Sequence, residues 1–248
     1  MGKVNYKIGF SEIGGIYIGK NIQSDFSKHY AITVLISFGE PFVLSRANLP
    51  QESYHVAIIQ KNISFNIQSS KNEYVAFIHI VPYSDSGIKL SNRNGSIEKF
   101  GLESFEGVIS EIKKWFYTSE KATEKVAFLL NLVSSVPKIK EENTLRMDQR
   151  IRKSFDLIMQ NETEKLLSSQ IASQVHLSNS HFARLFRKET GMTFRRFFLH
   201  SKLIKSIYAM YENNSLTEAA FKGGFSDQPH FTRTFKSNFG IKPSKTRK

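Results

Sequence analysis

The residues best suited to do chemistry lie in a repeat near the C-terminal end. Residues 181–191 read His-Phe-Ala-Arg-Leu-Phe-Arg-Lys-Glu-Thr-Gly, and residues 230–240 read His-Phe-Thr-Arg-Thr-Phe-Lys-Ser-Asn-Phe-Gly, identical at five of eleven positions. On a helix, Phe182, Leu185, Phe186 and Glu189 gather on one side. Ser180, Ala183, Arg184, Arg187 and Lys188 spread over the other. In the second copy Phe231, Thr234, Phe235 and Asn238 form the inner side, with Pro229, Thr232, Arg233 and Lys236 outside. Aromatics therefore anchor each helix, while short side chains and arginines face outward. That division lets a helix approach base edges and lets arginine bond guanine through two hydrogen bonds. Arg187, Lys188 and Lys236 are placed to hold phosphates. His181 and His230 recur at the edge of both helices, where a hydrogen bond to phosphate or to a neighbouring helix is the expected role.

Elsewhere the chemistry is sparse. Cysteine is absent, which removes thiolate nucleophiles, disulfide frameworks and cysteine-ligated zinc. His29, His55 and His79 lack the close His-x-His spacing with a following Glu that a barrel metal site needs, so no metal is expected. No nucleophile motif, glycine-rich phosphate loop or carboxylate pair is present, so the expectation is a non-enzyme without a cofactor. Tyr17, His29 and His79 are polar groups at strand positions. They are the candidates for a small-molecule effector pocket, since such pockets are apolar with few polar groups.

The elements that would position these residues differ along the chain. Runs at 4–10, 15–19, 31–38, 42–45, 55–59, 64–68 and 74–81 are short, rich in Ile, Val, Phe and Tyr, and punctuated by Gly, Pro and Asn. This pattern predicts an antiparallel barrel or jelly roll over residues 1–98. The period then changes. Leu102, Phe105, Ile109, Ile112 and Phe116, then Ala122, Val126, Leu129, Val133 and Val136, follow three-four spacing over residues 99–136. These two amphipathic helices either lie on the barrel or pair with a second copy in a homodimer. Residues 137–144 are polar and proline-led, a linker. Residues 145–248 read as helical, with the repeat set in two helix-turn-helix units. Ser215 with Glu218 makes a capping box before the second unit. A helix over 193–213 separates the units by about 30 Å at 1.5 Å per residue, close to the ~34 Å between successive major grooves on one side of DNA.

Charge follows the same division. The chain has 248 residues and a formal net charge of +13. Residues 1–143 hold 16 basic and 14 acidic side chains, and residues 144–248 hold 19 and 8, so +11 of the total sits on the helical half. A polyanion is the natural partner of that half. The absence of a long apolar run or a signal-like start gives the expectation of a cytoplasmic protein with no membrane segment.

The C-terminal part resembles the AraC/XylS family of bacterial transcription regulators. The resemblance rests on Ser178-x-x-x-Phe182-x-Arg184-x-Phe186-Arg187-x-x-x-Gly191 in the first unit. In the second it rests on Ala220-x-x-x-Gly224-Phe225-x-Asp227-x-x-x-Phe231-x-Arg233-x-Phe235-Lys236-x-x-x-Gly240-x-x-Pro243. Lys202-Leu203-x-x-Ser206 stands where the family tends to have Arg-Leu-x-x-Ala. The resemblance implies an all-helical double helix-turn-helix domain that inserts residues 179–188 and 228–236 into adjacent major grooves of double-stranded DNA. Asn179 and Gln228 thereby join the candidate contacts. It further implies a cupin-like N-terminal barrel, contact with RNA polymerase, and work at the bacterial nucleoid. Two other readings stand beside it: a non-specific architectural DNA binder, and a barrel enzyme or sensor with a basic RNA-binding tail. RNA readers display aromatics for stacking, whereas here the aromatics fall on the inner faces.

Overall fold

The structure is a computed structural model. It describes residues 6–24, 26–29, 31–91, 97–118, 123–136, 147–161, 165–212, 214–239 and 243–245. The segment read as a linker lies outside these residues, as do Val4, Ala122 and Gly240. The chain divides into two compact units, Met1–Leu145 and Arg146–Lys248.

The first unit is built on two antiparallel sheets. Its strands are β1 (Tyr6–Ser11), β2 (Gly14–Lys20), β3 (Ser27–Lys28), β4 (Ile32–Ser37), β5 (Phe42–Ser45), β6 (Glu52–Tyr54), β7 (Val56–Ile59), β8 (Ser64–Gln68), β9 (Tyr74–Ile80) and β10 (Ile97–Phe100). One sheet has the order β1-β2-β9-β4-β7-β10 and the other β3-β8-β5-β6. Side chains alternate across a strand, and on β4 both faces are covered. Ile32, Val34 and Ile36 join one buried cluster, and Leu35 joins the other. A strand covered on both faces reads as a largely apolar run, and residues 32–36 are apolar except for the buried Thr33.

Three helices accompany the sheets: α1 (Asp85–Leu90), α2 (Glu106–Tyr117, entered through a 3-10 turn at Leu102–Phe105) and α3 (Thr123–Ser135). The stripes predicted from spacing are buried. Phe105, Ile109, Ile112, Phe116, Val126, Leu129 and Val133 share one cluster with Ile16, Ile18, Val34 and Ile78 of the six-stranded sheet. Their apolar faces pack against that sheet. Strand pairing runs to Phe100, past the boundary expected at 98, because Ile97–Phe100 pairs with Val56–Ile59.

The second unit is helical in all its described elements. These are α4 (Gln149–Gln160), α5 (Ser168–Gln174), α6 (Asn179–Thr190), α7 (Phe194–Tyr211), α8 (Leu216–Lys222), α9 (Gln228–Phe239) and a closing 3-10 turn at Pro243–Lys245. Phenylalanines make its core. Phe197 of α7 stacks on Phe155 of α4 at 5.0 Å and meets Phe186 of α6 edge-on at 5.2 Å. Phe225, Phe231 and Phe235 form a matching chain, 5.6 and 5.9 Å between successive rings. No described helix is long and apolar enough to cross a membrane.

Candidate nucleic-acid interface

Each repeat is a short helix, a tight turn and a longer helix. In the first, α5 hands over to α6, whose N-terminus is capped by the Ser178 hydroxyl accepting the His181 N–H at 3.3 Å. An N-cap of this kind satisfies one of the four donors that a helix start leaves open. α6 ends at Gly191, whose φ of 78° is the left-handed conformation that glycine adopts without strain. In the second repeat, α8 begins with the full capping box. The Ser215 N–H donates to Glu218 at 2.7 Å, and the Glu218 N–H donates to the Ser215 hydroxyl at 3.1 Å. The α8–α9 turn contains Gly224 at φ 84°. Asp227 then caps α9, its carboxylate accepting the His230 N–H at 2.6 Å.

The inner and outer faces separate as the helical wheel requires. Phe182, Phe186, Phe231 and Phe235 are fully buried. Asn179, Ser180, Ala183, Arg184, Arg187 and Lys188 are all exposed on α6. On α9, Pro229, Arg233 and Lys236 are exposed, while Gln228 and Thr232 are half-buried and lie 3.5 Å apart, side chain to side chain. Asn179 is held by a hydrogen bond from Ser168 of α5 at 2.8 Å, tying the two helices of the first unit at the mouth of the outer face. Between the units, the 18 residues of α7 span about 27 Å at 1.5 Å per residue. The arrangement presents two helices of small and cationic side chains, both packed on α7.

Carboxylates near these helices are held ionised. Hydrogen bonds from the Arg150 guanidinium bring the Asp148 carboxyl down to about 2, with lesser help from the Arg150 backbone N–H and charge and from His181. The bond from the His230 N–H holds Asp227 below the usual range, and the Ser226 hydroxyl and the Arg233 charge add to it. His230 itself packs edge-on against Phe225 at 5.0 Å. The recurring histidines therefore sit at the helix entrances.

The effector candidates divide. His29 and His79 come together with ring centroids 4.7 Å apart, and both rings meet Phe77, at 5.8 and 5.0 Å. The His79 imidazole lies 3.5 Å from the Thr33 hydroxyl, and burial pushes the His29 pKa down. Tyr17 shares that sheet face, opposite Phe77 in register, but its hydroxyl leans over Gly19, and its ring stacks on Tyr6 at 6.5 Å. It turns away from the imidazole pair.

One feature of the helical unit was not anticipated. An open groove of about 690 Å³ runs between the end of α4, the side of α7 and the α8–α9 turn, lined by Phe198, Lys202, Lys205, Tyr208 and Lys222 among others. Lys202 donates to the Gly224 carbonyl at 2.6 Å and Lys205 to the Asn161 carbonyl. The available signal was Lys202 and Lys205 three residues apart on one helix face.

In chain order, a two-sheet unit is followed by a helical unit that holds two helix-turn-helix repeats. A family model described as a helix-turn-helix domain matches residues 171–248. The Msm operon regulatory protein of Streptococcus mutans is 34% identical over 99 residues, covering 36% of this chain and 35% of that protein. The transcriptional activator RhaS of Klebsiella pneumoniae is 24% identical over 127 residues, covering 51% of this chain and 46% of the relative. The chain thus spans less than half the length of these curated relatives. Over the whole chain, the fold is similar to crystal structures of ToxT from Vibrio cholerae. One has TM-score 0.60 and 18% identity, covering 98% of this chain and 97% of that one. Another, bound to an unsaturated fatty acid, has TM-score 0.60 and 16% identity, covering 97% and 94%. Residues 171–248 therefore carry a helix-turn-helix domain, and over the whole chain the fold is similar to that of ToxT.

Proposed function

We propose that this chain is a sequence-specific, double-stranded-DNA-binding transcription regulator, whose α6 and α9 enter adjacent major grooves. The observation that carries the reading is the shared outward face of the two helices, with Arg184 and Arg233 at equivalent exposed positions above buried phenylalanine pairs. The repeat and the length of α7 support one turn of DNA between the two contacts. Contact with RNA polymerase, a homodimer and a place at the nucleoid in the cytoplasm belong to the same reading through the family resemblance, as does the lack of enzymatic activity.

Two places are offered for an effector. The interior of the two-sheet unit around His29, His79 and Thr33, walled by Phe65 and Phe77, suits a small neutral molecule with hydroxyl or carbonyl groups. The groove beside α7 favours a second reading. Lys202, Lys205 and Lys222 alongside Phe198 and Tyr208 suit an amphiphile with a carboxylate, the kind of ligand held by one of the ToxT structures. Selection of bound duplexes from a random pool, with and without a long-chain fatty acid, tests the reading. Enrichment of one motif that responds to the acid supports it, and recovery of an unbiased pool overturns it.

A further inference from the structure

The repeat allows the two DNA-facing helices to be compared position by position. Arg184 matches Arg233, Arg187 matches Lys236, and Lys188 matches Ser237. Ser178 matches Asp227, and both cap their helix by the same bond, to the N–H of His181 and of His230 respectively. The first helix therefore begins with a neutral cap and displays three exposed cations. The second begins with an exposed carboxylate and displays two. Pro229 also deprives α9 of a first-turn N–H that Ser180 retains in α6. A carboxylate at the mouth of a helix that approaches DNA faces the phosphates with like charge, and little salt lies between groups so close.

Resting on the DNA-binding reading above, we infer that the two units are unequal: the first supplies most of the grip on phosphate, and Asp227 restrains the second. The closeness of Asp227 to Arg233, which deepens the ionisation of that carboxylate, agrees with this. Part of the Arg233 charge is answered within the protein before DNA arrives.

Exchanging the caps tests the inference in the full chain. Asp227→Asn keeps the capping oxygen and removes the charge, while Ser178→Asp keeps the cap and adds one. Fluorescence anisotropy on a selected duplex and on its scrambled counterpart, across a salt series, provides the readout. Asp227→Asn should tighten binding to both duplexes by about threefold to tenfold at low salt. It should also steepen the dependence of log K on log salt by about one unit. Ser178→Asp should do the reverse. The inference fails if Asp227→Asn leaves affinity and slope unchanged, or weakens binding, at an unaltered melting temperature. If the wild-type chain binds the selected and scrambled duplexes equally, the sequence-reading function fails instead. If it binds neither, both fail.

Discussion

Gly223 lies so close to α7 that a β-carbon there would fall 1.8 Å from the Ser206 hydroxyl oxygen and 2.7 Å from the Lys202 carbonyl. This contact sets the distance between the second unit and the strut that carries it. Gly223→Ala should therefore cost about 1–3 kcal/mol through overpacking, since the Lys202 carbonyl is backbone and cannot step aside. Thermal melting checks it, and DNA affinity should fall with stability because α9 is displaced.

Ser206 is the other side of that contact. Its hydroxyl is fully buried and makes no hydrogen bond. An unmet buried polar group costs free energy, so Ser206→Ala should be neutral or stabilising. Alanine is also the residue at that place in the AraC/XylS family that this region resembles. A lowered melting temperature would mean that the hydroxyl has a partner in solution.

Ser215 and Glu218 were read from the sequence as a capping box, and they bond reciprocally. Ser215→Ala should cost about 1 kcal/mol. Because α8 supports α9, the loss should appear as faster hydrogen exchange in residues 216–239, with 168–190 unaffected.

His200 supplies a pH dependence. Its Nδ1 is shielded and unbonded, and burial brings its pKa down to about 4. The unfolded chain then takes up a proton near pH 6.5 that the folded chain refuses until about pH 4. Stability should fall as pH drops through that window. His200→Leu should flatten this part of the stability profile measured by urea denaturation.

Much of this fold was legible because its signals are local. Residues 64–68 alternate in sequence and in burial, and the phenylalanine spacing of the repeat became the core of the helical unit. What was not legible depends on partners distant in the chain. Glu52–Tyr54 and Ile97–Phe100 carry charged or exposed residues and are strands only because Phe42–Leu44 and Val56–Ile59 pair with them. Asp85–Leu90 contains Ser and Gly, and its first turn is set by a bond from the Gly87 N–H to the Ser84 hydroxyl at 3.0 Å. At the site, exposure of the arginines followed from the wheel. The departure of Tyr17 from the imidazole pair did not, because strand alternation gives the face of a side chain and not the direction in which it leans.

Base reading and phosphate holding separate by mutation. Arg184→Ala or Arg233→Ala should cost about 1–3 kcal/mol on the selected duplex and relax selectivity at one position. Lys188→Ala should weaken binding to every duplex about equally and lower the salt slope. Equal losses on all sequences from all three variants would remove the base-reading role of the arginines.

The central claim is that one chain places two helices in successive major grooves, and hydroxyl-radical footprinting of the full chain on its selected duplex tests it most directly. The account predicts two protected patches on one side of the DNA, about one helical turn apart, with only the patch facing α9 lost in Arg233→Ala. A single patch, or uniform protection along the duplex, would contradict it.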